Sequence, residues 1–155
     1  MGNSCDLYHS QLILMLFLEP LGYGYSKRLC RDVVSWFVSK YLPRHKLDIT
    51  VLHRSLKKDN AYGYCDVSGR NYNPREFLIE MDTHMDKENY TKTLLHELHH
   101  VFQFVSGELK LKSSKRYYKG ECMEDLEYYK QPHEIEAHKR EKELYQEYLN
   151  YLTTL

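Results

Sequence analysis

Three observations predict an α+β fold in a single domain. Apolar residues recur at helical spacing in three stretches, near 26–41, 86–106 and 132–152. Between the first two the period drops to two, in Leu47, Ile49 and Val51 and again near 61–67 and 77–81. The whole of 1–155, with 42% apolar residues, suits one hydrophobic core, and no repeat, low-complexity tract or linker divides it.

The elements follow in order. Leu12–Leu18 is an apolar run too short to cross a bilayer, so a buried helix or strand is expected there. No Lys or Arg precedes the run and Asp6 does, which does not fit the basic start of a signal peptide. The opening MGNSCD is close to a myristoylation signal but has Asp6 where Ser or Thr is wanted. The role of 1–24 is left open. Pro20, Gly22 and Gly24 mark a break. Ser26 then caps a helix with apolar positions Leu29, Val33, Phe37 and Tyr41, stopped by Pro43. A half-buried strand is expected at Leu47–Val51, a second at Ala61–Val67 turned by Ser68-Gly69, and a third at Phe77–Met81. Asp86 caps the next helix, which ends at Ser106-Gly107. The polar, tyrosine-rich stretch Glu108–Lys130 reads as a loop with a short hairpin or helix. Pro132 opens a last helix that runs to about Leu152.

Composition narrows the function classes. Twenty-two basic residues balance 22 acidic ones, which argues against a general binder of nucleic acid or anionic membrane. Lys110, Lys112, Lys115, Arg116 and Lys119 form a local basic run, read as a solvated loop. Cysteines at 5, 30, 65 and 122 make no CxxC pair and no disulfide framework, so reduced, mostly buried thiols in the cytoplasm are expected. Most of the 15 tyrosines are expected to pack with their hydroxyls reaching water, though one beside a metal site can stabilise an oxyanion.

The chemistry centres on His96-Glu97-Leu98-His99-His100, an HExxH pattern. Residues four apart stack on one helix face, so His96 and His100 can close on one metal, and Glu97 beside them can act as general base toward a water. On the helical wheel Leu94, Leu98, Val101 and Val105 form one stripe, with His96, His100 and Gln103 opposite. The histidines are therefore expected to look outward into a cleft. His99 is expected at the surface or behind the metal ligands.

A catalytic zinc needs a third protein ligand. His133, Glu134, Glu136 and His138 are the candidates in the last helix. Ala137, His138, Glu141, Tyr145, Tyr148, Leu149 and Leu152 lie within about 60° of Glu134, the face that packs on the domain. Glu136 lies about 200° away and is expected in solvent. Glu134 is the choice, although a first-turn Glu is also favoured by the helix dipole alone.

HELHH followed by a helix bearing E-x-x-A resembles the gluzincin branch of zinc metallopeptidases, including thermolysin and the small ImmA/IrrE-like bacterial and phage peptidases. The resemblance implies zinc on His96, His100 and Glu134, with Glu97 as general base. It also implies a zincin-like fold: an N-terminal helix, a small mixed sheet of three or four strands, the HExxH helix, then the ligand helix. Asn60-Ala61-Tyr62 is similar to an Asn-Ala-aromatic edge strand that holds substrate backbone, and would equally suit the start of an ordinary strand. Two departures stand out. His138 occupies the position four after the ligand Glu, where the group often has an orienting Asp, and no one of Tyr117, Tyr118, Tyr128 and Tyr129 is singled out as oxyanion donor. The specific resemblance spans about 60–140.

The expectation is a small cytoplasmic metallopeptidase with one Zn2+ per chain, acting on a peptide or protein substrate. His99, His138, Asn60, Ala61, Tyr128 and Tyr129 are its outer-sphere or substrate-binding candidates. Two alternatives remain: a catalytically retired interaction module of a phage or mobile element, and a SprT-type DNA-associated protease, which would put His133 or His138 on the metal. Oligomeric state is not legible.

Overall fold

The structure is a computed structural model that describes residues 15–155. The myristoylation reading, Cys5 and the start of the apolar run lie outside the described residues.

The rest of that run forms β1 (Leu16–Gly22), not a break at Pro20. Pro20 sits inside the strand, buried, because β1 is an edge and a ring nitrogen facing away from the sheet needs no acceptor. Gly22 ends it at φ 92, where a Cβ would lie 2.1 Å from the His53 carbonyl oxygen. Ser26 caps α1 (Lys27–Tyr41) by accepting from the Leu29 amide, as its sequence predicts. The strands β2 (Leu47–His53), β3 (Gly63–Val67) and β4 (Glu76–Met81) complete a mixed sheet in the order β1-β2-β4-β3. β1, β2 and β4 are parallel, and β3 pairs antiparallel to β4. β3 starts later than its pattern suggests: a short 3-10 turn, Lys57–Asp59, and a left-handed Asn60 precede it.

Asp86 caps α2 (Lys87–Ser106), and Gly107, at φ 85, closes it. Burial of Leu94, Leu95, Leu98, Val101 and Phe104 against Val33, Val34, Phe37, Ile49, Val51, Phe77 and Ile79 makes the core. The stretch 108–130, read as a loop with a short hairpin or helix, extends that hairpin into a second, antiparallel sheet. Its strands are β5 (Leu109–Lys112), β6 (Lys115–Tyr118) and β7 (Glu121–Cys122). Both hairpins turn on two residues with positive φ, Ser113-Ser114 and Lys119-Gly120. Type I′ turns normally announce themselves as Asn-Gly or Asp-Gly, and here the signal is muted. Pro132 opens α3 (Pro132–Leu152) as expected. α3 packs along α2 through the fully buried Ala137 and Leu144, and reaches α1 where Tyr148 meets Trp36 edge-on at 5.3 Å. Among the described residues no helix is long and apolar enough to cross a membrane.

His53 carries a pH prediction. Its Nδ1–H donates to the Leu21 carbonyl at 2.9 Å, so its Nε2 accepts from the Tyr90 hydroxyl at 2.7 Å. Stacked on Tyr25 and buried, it is held neutral below the usual histidine range by desolvation. His99 and His133, each lowered to about 4 by burial, act in the same direction. The unfolded chain binds these protons first, so their stabilisation is complete above about pH 6.5 and fades as pH falls toward 4. Thermal midpoints measured between pH 7.5 and 4.5 should fall, and His53→Gln should flatten the slope.

Candidate metal centre

α2 and α3 bring the site together. His96 and His100 stand one turn apart on α2, and Glu134 enters from the first turn of α3. Glu134 Oε2 lies 3.1 Å from His96 Nε2 and 3.2 Å from His100 Nε2. One donor atom from each residue falls within 4.8 Å of the other two, and all three residues are buried.

The outer hydrogen bonds orient both rings. His100 Nδ1–H donates to Gln103 Oε1 at 2.8 Å, and His96 Nδ1–H donates to Glu141 Oε2 at 2.8 Å. Each Nε2 lone pair is then aimed at the Glu134 carboxylate. Electron pairs do not converge stably without a positive charge between them, either a proton or a metal ion. The surroundings of His96 and Glu134 act in the same sense. Burial opposes a charge on His96, yet hydrogen bonds that the imidazolium donates to Glu134 and Glu141 outweigh it and raise the imidazole to about 10. Burial likewise opposes ionisation of Glu134, but the two histidines hold its carboxyl well below the usual carboxylate range. The donor set, two imidazoles and a carboxylate, suits a zinc ion with a position left over.

Glu97 is buried beside the histidines, and desolvation raises its carboxyl above the usual range although His100 and His96 act against it. It shares a cleft of about 840 Å³ with the three donors. Gly63, on β3, forms the opposite wall. A Cβ there would meet Glu97 Oε1 at 3.0 Å, Thr93 Cγ2 at 3.1 Å and the Glu80 carbonyl oxygen at 3.2 Å. Gly63→Ala should therefore push Glu97 out of place. Its effect on any Glu97-dependent turnover should exceed its effect on the thermal midpoint, which is expected to fall by only a few degrees.

Several sequence expectations need correction. His96 and His100 do look into a cleft as expected, but α3 also packs over them, so both are buried. Glu136 does not point to solvent. It is half-buried and accepts from the Tyr118 hydroxyl at 2.6 Å and from Gln103 Nε2 at 2.9 Å, because the small sheet covers that side of α3. His99 is buried against Phe102, away from the cleft and not at the surface. His133 is fully buried, with Nε2 3.7 Å from Glu134 Oε1. Asn60, Ala61, Tyr128 and His138 do line the cleft, whereas Tyr129 does not. Asn60 and Ala61 belong to the turn before β3, not to the strand. Of the four tyrosines in the connecting segment, Tyr128 alone lines the cleft, its hydroxyl 3.3 Å from His138 Nε2. His138 makes no hydrogen bond to His96 or His100, so it does not take the orienting part that the gluzincin resemblance gives to an Asp. Glu141, seven residues after Glu134, performs that task, and Gln103 serves His100. Both stand on the predicted faces of their helices, one or two turns from the ligands, and that spacing was the available signal.

No protein-family model matches this chain, and neither does any curated protein or solved structure.

Proposed function

We propose that this chain is a zinc-dependent metallopeptidase of gluzincin type, with a zincin-like arrangement of its elements. The observation that carries the reading is the convergence of His96, His100 and Glu134 with both ring Nδ1 atoms engaged by outer acceptors. Neither His133 nor His138 groups with both motif histidines, which favours Glu134 over the histidine ligand of a SprT-type enzyme. When bound, zinc supplies a Lewis acid that polarises the substrate carbonyl and acidifies a water.

The remaining work falls to the protein. Glu97, buried and with its carboxyl raised, accepts the proton from the attacking water and delivers it to the leaving amine. Tyr128 reaches the cleft with its hydroxyl 3.3 Å from His138 Nε2, where it can donate to charge developing on the carbonyl oxygen. β3 is a sheet edge facing the cleft, where an extended peptide can add as a further strand. Cys30 and Cys65, free and buried, suit a reducing cytoplasm.

Purified protein should contain about one zinc per chain and cleave an unfolded protein such as casein. A chelator should stop cleavage and added zinc restore it, with the thermal midpoint following zinc in parallel. Cleavage indifferent to chelation would overturn the reading, as would a protein that takes up no zinc.

A further inference from the structure

Arg116 departs from the rest of its basic run. Directly paired strand residues share a face, so the pairs Leu111–Arg116 and Leu109–Tyr118 put Arg116 on the inner side of the small sheet. Lys110, Lys112, Lys115 and Lys119 are exposed. From that inner face the Arg116 guanidinium crosses to β3. Its Nη2 donates to the Cys65 carbonyl oxygen at 2.7 Å and to Asp66 Oδ1 at 3.2 Å, and the group lies over the Phe104 ring. The side chain lines the cleft.

The position of that contact matters. The Tyr62 carbonyl accepts from Asp82 and the Ser68 amide donates to Glu76, so even-numbered residues of β3 direct their backbone groups at β4. Odd-numbered ones, Gly63 and Cys65 among them, direct theirs at the free edge. Gly63 is the residue against Glu97. Two residues on, about 7 Å along the strand, Arg116 occupies the edge carbonyl of Cys65 that a further strand would need.

We propose that Arg116 closes one end of a peptide groove along β3 and binds a carboxylate of the peptide there. That carboxylate is an acidic side chain or the peptide's own C-terminus. The inference rests on the peptidase reading only for the cleaved bond; the binding stands without it. Guanidinium has five N–H donors in a planar fork, and only Nη2 has partners among the described residues. Its ion partner, Asp66, is 66% exposed, so that pair contributes little and yields readily to a second carboxylate. The other cleft cation among the described Lys and Arg, Lys92, is engaged by Glu88 at 2.7 Å. Lys92 stands on α2, whereas Arg116 is the cation that reaches the β3 edge itself.

The test is binding of alanine-based heptapeptides to the zinc-loaded protein with Glu97→Gln, followed by calorimetry. Each peptide carries Glu or Gln at one scanned position, with the C-terminus free or amidated. One carboxylate position should bind about 10-fold more tightly than its neutral counterpart. Arg116→Gln should erase the difference, Arg116→Lys retain part of it, and Asp66→Asn enlarge it. A gain at a scanned Glu identifies a side-chain acid, and a gain on removing the amide identifies the C-terminus. Equal binding of charged and neutral peptides, no binding of any peptide, or discrimination that survives Arg116→Gln would overturn the proposal. Peptides that bind but are not cut by the Glu97-containing protein would count against the hydrolytic reading alone.

Discussion

Glu97→Gln should leave the metal in place and lower turnover by about a hundred- to ten-thousand-fold. Glutamine keeps the volume and an amide oxygen against Gly63, but it cannot accept a proton from water. Glu97 is not one of the three converging donors, so zinc content should stay near one per chain. Metal analysis, thermal midpoint and peptide cleavage on the same preparation check all of this together. Full turnover in the variant would remove Glu97 from the mechanism, and loss of zinc would make it a ligand.

Glu134→Gln should act on the metal itself. The carboxylate is the only anion among the three donors, and it faces both imidazole Nε2 atoms at hydrogen-bonding distance. Replacing it should weaken zinc binding by more than about 100-fold and abolish the rise in thermal midpoint that zinc produces. Glu141→Gln offers the graded comparison. It keeps an oxygen that can accept from the His96 Nδ1–H but removes the negative charge behind the ring, so the loss should be smaller, about 10-fold. Competition with a chromogenic chelator measures both. Equal effects of the two substitutions would mean that Glu134 and Glu141 have been assigned the wrong roles.

How much of this was legible beforehand depends on the range of the interactions. Ser26, Asp86, Gly107 and Pro132 announce helix ends through contacts no more than a few residues away, and each stands where local chemistry puts it. Glu134 could be chosen over Glu136 because a helical wheel is also local. The same wheel failed on the destination of Glu136. Its hydrogen bonds to Tyr118 and Gln103 span 18 and 33 residues, through a sheet whose turns lack the usual glycine-asparagine signature. The gluzincin resemblance left the orienting position at His138 as a departure, and Glu141 is the group that accepts from the His96 Nδ1–H.

By itself, then, the sequence determined the α+β class, the helix limits, and a histidine pair spaced to share one metal. Spacing along a helix is set by backbone geometry alone. Only the tertiary structure decided what surrounds that pair: that α3 roofs it, that Glu141 and Gln103 turn the rings, that Gly63 stands against Glu97. It also singled out Arg116 from five similar basic residues. Those relations join residues tens of positions apart, and they exist only once burial of the core has fixed how α2, α3 and β3 lie against one another.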